Sequence, residues 1–299
     1  MPNLDIVGFD RHDPTAPTYQ GRPLADPTEP VVDQGLQFDV VTLIDRRKVL
    51  KLLGFGSVAV GIAACAPGAA TGSPSASAAA AASVDAASCE VIPEETAGPF
   101  PGDGSNGPDI LEQSGVVRSD IRSSFGSSTT TADGVPLTIR LAIQDLSDGC
   151  VPYAGAAVYV WHCDAEGRYS MYSQGVENEN YLRGVQEADA DGMVTFQSVF
   201  PACYQGRWPH IHFEVYPSLD LAVDAGNKIA TSQVALPADI SAEVYATAGY
   251  ESSLQTFAQV SLESDMVFAE DGGARQLGTI SGSVADGLMV DLTVPVASA

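Results

Sequence analysis

Positive charge is scarce in this chain: 14 Lys and Arg stand against 38 Asp and Glu, for a net charge of −24. So acidic a surface repels nucleic acid and anionic membrane, which excludes both as charge-driven partners, and its plain effect is solubility. Cysteine is sparse too, with five in 299 residues and no Cys-x-x-Cys pair, which argues against a thiolate zinc site. No apolar run reaches the ~20 residues needed to span a bilayer as a helix. Aromatics make up only 7%, and no internal repeat is visible. Histidine numbers four, so where those four fall is informative.

Residues 1–44 are rich in Pro, Asp and Gly without apolar periodicity, and are read as disordered or as an untranslated extension, with a start near Val41 or Leu43. Asp45-Arg-Arg-Lys-Val-Leu-Lys51 then precedes the apolar run Leu52 to Ala64, the layout of a twin-arginine export signal, with Val49 where such signals usually carry Phe. Ile62-Ala-Ala-Cys65 has the form of a lipobox, which makes Cys65 a candidate lipid anchor and the only expected contact with a membrane. The signal therefore spans 45–65. Residues 66–88 are almost wholly Ala, Ser, Gly and Pro and read as a flexible linker. The folded domain is expected over 89–299.

Within it the pattern is β throughout. Val135 to Ile143 alternates apolar and polar residues, Ala156 to Cys163 is an apolar strand, and Val290 to Val294 alternates again. Turn residues cluster at 145–152, 187–192, 216–227 and 270–273, and Asp189-Ala-Asp-Gly192 before Met193 reads as a hairpin entry. Only 238–258 suits a short helix. Many short strands with long loops and little helix predict an all-β fold, a sandwich or Greek-key barrel. Cys89, Cys150, Cys163 and Cys203 lie in an exported domain, where disulfides are expected over free thiols; four cysteines allow two bridges in three pairings, and spacing does not choose.

Pro201 to Val215 carries the chemistry. His210, His212 and Glu214 share one face of a strand, and Ile211, Phe213 and Val215 share the other. Two imidazoles in that register can meet one ion. Tyr204 and Arg207 lie just upstream, and Tyr169 sits in Trp161 to Ser170, where a strand runs into a loop. Tyrosine binds a metal only as phenolate, so two phenols with two imidazoles call for a hard, strongly Lewis-acidic ion, and Fe(III) fits best. Taken singly, each residue has a plainer reading as a strand-end tyrosine or a surface arginine. His162 shares its face with Val158 and Val160 and reads as a hydrogen-bonded core histidine, and Arg183 as a loop anchor acting through backbone carbonyls.

At these residues the chain resembles the intradiol ring-cleavage dioxygenases, non-haem ferric enzymes that split catechols between the hydroxyl-bearing carbons. The likeness rests on Thr96-Ala-Gly-Pro-Phe100, on Gly-x-Tyr-Ser ending at Ser170, on Tyr181-Leu-Arg-Gly184, and on Tyr204-x-x-Arg-x-x-His-x-His212. It implies a β-sandwich with Fe(III) at one end, Tyr169 and His210 as equatorial ligands and Tyr204 and His212 as axial ones. It further implies Arg207 beside the bound substrate, Gln233 as the family's site glutamine, and a catechol-type substrate opened with O2 to a cis,cis-muconate-type product. Ala97 replaces a frequent glutamate, and Ala202-Cys203 a frequent glycine and aromatic; neither is a ligand. The chain also lacks the helical segment through which catechol-type members dimerise. Two other functions fit part of the pattern. One is a catalytically silent envelope lipoprotein that binds ligand. The other is a zinc hydrolase using His162, His210 and His212, which leaves both tyrosines unexplained.

Overall fold

The structure, a computed structural model, describes residues 89–298 and, outside them, three two-residue strands, Phe9–Asp10, Thr18–Tyr19 and Arg22–Pro23, paired antiparallel. The rest of 1–44, the 45–65 signal with Cys65 and the 66–88 linker lie outside the described residues.

Two sheets face one another across an apolar core. The first carries β1 (Pro136–Asp145), β2 (Val151–Pro152), β5 (Met193–Val199), β8 (Thr279–Ser283) and β9 (Gly287–Val296). The second carries β3 (Ala157–Trp161), β4 (Arg183–Glu187), β6 (His210–Tyr216) and β7 (Ala230–Ala235), in the order β7-β6-β3-β4. Strand β1 pairs antiparallel with β5 and parallel with β9. Two short helices, α1 (Ala238–Tyr245) and α2 (Glu251–Phe257), occupy the one segment expected to be helical. The all-β expectation holds: the protein is a β-sandwich.

Period-two patterning built the first sheet. Leu137, Ile139, Leu141 and Ile143 of β1 are buried while the residues between them are partly exposed. They meet Val158 and Val160 of β3 and Ile211, Phe213 and Val215 of β6 in one core cluster. Each such side chain contributes about 1.5–3 kcal/mol on full burial. Strands β3 and β6 differ from β1 in being buried at every position. Their outer face packs a second cluster, Tyr159, Trp161 and Tyr169 among it, beneath loops from the N-terminal segment and from the β3–β4 connection. That covered outer face holds the candidate site.

The β4–β5 turn forms at Asp189–Gly192 as read from the sequence, with Asp189 Oδ1 accepting from the Asp191 and Met193 amides. It is not a hairpin, however. β4 pairs with β3 in the second sheet and β5 with β1 in the first, so the turn passes the chain between sheets. Turn chemistry specifies the reversal but not the partner of the strand that follows.

Of the two possible disulfides one forms, Cys89 with Cys150, Cα atoms 6.2 Å apart. Cys163 and Cys203 are free and buried, their thiols directed at the Ala202 and Arg207 carbonyls. Burial pushes the Cys203 thiol up to about 12, and both behave as small core groups. The bridge ties the start of the domain to the end of the β1–β2 turn across a separation of 61 residues, a length at which loop-closure entropy is substantial. Replacing Cys89 and Cys150 together by Ser is expected to lower stability by about 2–5 kcal/mol, read as a shifted denaturant midpoint under oxidising conditions and no difference from the reduced parent.

Candidate metal centre and active site

Four side chains from three segments converge at the end of the second sheet. His210 opens β6 and His212 follows two residues on, both on the outer face, as the alternation requires. Tyr204 comes from the turn before β6, and Tyr169 from the loop after β3, where Gly167 adopts a φ of +85° and lets the chain double back. Tyr169 Oη lies 3.2 Å from Tyr204 Oη, Tyr204 Oη 3.1 Å from His210 Nε2, and His210 Nε2 3.1 Å from His212 Nε2. Tyr169, His210 and His212 are buried; Tyr204 keeps partial exposure.

The hydrogen-bond inventory of this cluster calls for a cation. His210 Nδ1 lies 2.5 Å from the Trp208 carbonyl, so that nitrogen carries the proton and Nε2 presents its lone pair to the cluster. His212 Nδ1 has no partner among the described residues, and its ring is held instead by stacking on Trp161 at 4.8 Å between centroids. Burial, then the Arg207 charge, depresses His210 well below the ordinary histidine range, and His212 is depressed by burial, then by His210. Both imidazoles are thus neutral donors. Burial also raises the phenols, Tyr204 to about 12 and Tyr169 well above its ordinary value. Ligand atoms on one ion with bonds of about 2 Å sit about 3 Å from one another, which is the spacing seen. Two phenolic oxygens and two imidazole nitrogens form a hard donor set, and the set fits ferric iron.

Arg207 is buried beside the cluster. Its Nη1 is 3.4 Å from His210 Nε2, its Nη2 donates to Gln233 Oε1 at 2.6 Å, and its Nε donates to Asp265 Oδ2 at 3.0 Å. Gln233, on β7 opposite His212, spends its amide on the Thr96 carbonyl at 3.0 Å. That bond draws Thr96–Phe100 over the site. Gly98 there has a φ of +71°, and a Cβ on it would stand 3.4 Å from His212 Cε1. Phe100 packs on Tyr169 with centroids 5.0 Å apart.

Arg183 holds both covering loops. Its guanidinium donates to the Phe100, Pro101 and Ser170 carbonyls and to the Tyr159 and Ser170 hydroxyls. This is the anchoring role read from the sequence. His162 spends both ring nitrogens, on the Cys163 carbonyl and the Ser198 hydroxyl at 2.7 Å each, and burial lowers it to about 4. The zinc-hydrolase reading loses its third ligand there, and among the described residues no group of three His, Cys, Asp or Glu is placed to bind a metal.

Against this geometry the comparisons are direct. A family model described as Dioxygenase matches residues 106–271, more than half of the chain. The chain belongs to this dioxygenase family. Its matched region contains Tyr169, Tyr204, Arg207, His210, His212 and Gln233. A chlorocatechol 1,2-dioxygenase of Pseudomonas sp. strain P51 is 34% identical over 99 residues, 33% of this chain and 36% of that protein. One of Rhodococcus opacus is 33% identical over 64 residues, 21% of this chain and 24% of that protein. The alignments thus span about a third or less of these curated relatives. An intradiol ring-cleavage dioxygenase of Tetranychus urticae superposes with a TM-score of 0.56 at 25% identity, covering 70% of this chain and 96% of that one.

Two buried features of this dioxygenase carry no signal in the sequence. Asp265, in the loop after α2, takes up Arg207 from 58 positions away. Glu214, on the ligand face of β6, belongs to another cluster: Lys228 Nζ lies 2.7 Å from Glu214 Oε1 and 3.4 Å from Asp103 Oδ2, and Tyr216 donates to Glu214. Burial raises Glu214 to about 7 against the pull of Lys228. Its face was legible, but a partner in the connection between β6 and β7 was not. Lys228→Met, which leaves two buried carboxylates without their cation, is expected to destabilise the fold by about 3 kcal/mol, measured by urea denaturation.

Proposed function

We propose that the protein is an exported, non-haem Fe(III) intradiol dioxygenase that opens a catechol-type ring between its hydroxylated carbons with O2, giving a cis,cis-muconate-type product. The observation that carries this reading is the unbroken set of contacts at 3.1–3.2 Å that joins two phenolic oxygens and two imidazole nitrogens. The chlorocatechol 1,2-dioxygenases among its relatives support a catechol as substrate.

Tyr169, Tyr204, His210 and His212 would hold the iron. When bound, ferric iron supplies the Lewis acidity that binds both catechol oxygens and opens the ring to O2. Tyr169 is fully enclosed and pinned by Phe100, which suits a permanent ligand. Tyr204 is the partly exposed phenol, on a turn rather than a strand, and suits the ligand that gives way to substrate and takes one of its protons as general base. Arg207 sets a fixed positive charge beside the bound ring, where anionic charge develops, in a site covered by Thr96–Phe100. Gln233 orients Arg207 and fastens that cover.

The test is the visible absorption of the iron-loaded protein with metal content quantified, before and after anaerobic catechol. The expected result is a tyrosinate-to-iron band that moves to longer wavelength with catechol, followed by ring opening on admitting air. Tyr169→Phe should weaken iron retention at least about tenfold and remove part of the band. A colourless protein that binds zinc in place of iron overturns the reading.

Export is supported by the paired arginines Arg46 and Arg47 ahead of an apolar run and by a disulfide, which an oxidising compartment favours. Replacing both arginines by Lys is expected to retain the protein in the cytoplasm, read by fractionation; envelope delivery of that variant contradicts twin-arginine export.

A further inference from the structure

Asp265 is a fully engaged carboxylate beside the site. Its side chain has no exposure, although it stands in a loop, between α2 and β8. Oδ1 accepts from the Val267 and Phe268 amides at 2.8 and 3.2 Å. Oδ2 accepts from Arg207 Nε at 3.0 Å and from the Trp208 amide at 2.6 Å. The first pair fixes the carboxylate to its own loop. The second pair fixes the segment that leads into His210.

Arg207 is a long side chain with several rotatable bonds, and its charge is useful only at one place. Gln233 meets it at Nη2 alone, a contact that leaves the guanidinium free to pivot. Adding Asp265 at Nε, a second nitrogen of the planar group, removes the pivot and leaves Nη1 toward His210 Nε2.

We infer that Asp265 is a positioning residue for the ring-opening step, acting through Arg207: it aims the guanidinium at the substrate and touches neither substrate nor metal. The inference rests on the dioxygenase reading above. It predicts an effect on turnover, with the binding of metal and catechol nearly untouched.

The experiment uses the iron-loaded full-length protein as wild type, Asp265→Asn, Arg207→Lys and the double variant. Asp265→Asn keeps size and can still accept from Val267 and Phe268 through Oδ1, while its Nδ2 no longer accepts from Arg207 or the Trp208 amide and the charge facing Arg207 is lost. Asp265→Ser serves in its place if the amide variant does not accumulate. Expected are unchanged iron content and absorption band, anaerobic catechol affinity within about twofold, and kcat lowered about tenfold to a hundredfold. In the Arg207→Lys background the same change should lower kcat by less than about threefold, since the group it aims has gone. Unchanged turnover in Asp265→Asn, or an equal loss in both backgrounds, overturns the proposal. So does loss of iron or of the band, which would make Asp265 part of the scaffold only. Wild-type protein that leaves catechol intact overturns instead the dioxygenase reading, and the two failures are told apart by the wild type alone.

Discussion

Burying both faces of β6 is the constraint from which the rest of the domain follows. One face, Ile211, Phe213 and Val215, needs only the apolar side chains of the opposing sheet. The other carries His210, His212 and Glu214, polar groups that cost free energy when removed from water without partners. A second sheet could cover that face only by presenting strand side chains at fixed spacing. Loops cover it instead, and loops can place a phenol, a carbonyl or a guanidinium where one is needed. The price is that loop backbone becomes buried in turn. Arg183 answers this by donating to three of those carbonyls at once, which makes it as structural as any apolar core residue.

The two polar groups on that strand are resolved in opposite ways. Glu214 receives Lys228 and Tyr216, so its cluster is complete within the chain. The histidines and tyrosines receive one another at 3.1–3.2 Å, with Arg207 alongside, and the cluster lacks a group that would accept all four lone pairs. Protons serve poorly, because burial holds the imidazoles neutral and the phenols protonated, and one imidazole has its second nitrogen unpartnered. A multivalent cation reverses those preferences by taking the phenols as phenolates. The donor chemistry of the cluster thus fits an ion better than it fits protons.

What could be read from the sequence follows the range of the interactions. The alternation at Leu137 to Ile143 and at His210 to Val215 is local, and the strands and their faces were legible from it. The spacing of Tyr204, Arg207, His210 and His212 is local as well, and Tyr169 entered through the resemblance that its own loop carries. Gln233 was placed the same way, and it lies opposite His212 on β7. Pairing across the chain was not legible. Asp189–Gly192 has the residues of a tight turn whether the next strand stays in its sheet or leaves it, and only the long-range partners, β3 and β1, decide. Cys150 offered no reason to choose Cys89 over Cys163 or Cys203. Asp265 is one of 38 acidic residues, and nothing near it in the chain sets it apart.

The two histidines also divide their work. His210 is tied at Nδ1 to the Trp208 carbonyl, and Trp208 is tied at its amide to Asp265, so this imidazole is located by hydrogen bonds with definite directions. His212 has only the face of Trp161 behind it, at an interplanar angle of 7°, and stacking leaves the ring free to slide in its own plane. A ligand donating its second N–H to a carbonyl is a stronger base than one whose second nitrogen is bare. His210 is therefore the more firmly held imidazole, and His212 the one with more room to adjust. That ordering matches the partial exposure of Tyr204 and the full enclosure of Tyr169. The cluster thus pairs one firmly held imidazole with a looser one, and one enclosed phenol with a partly exposed one.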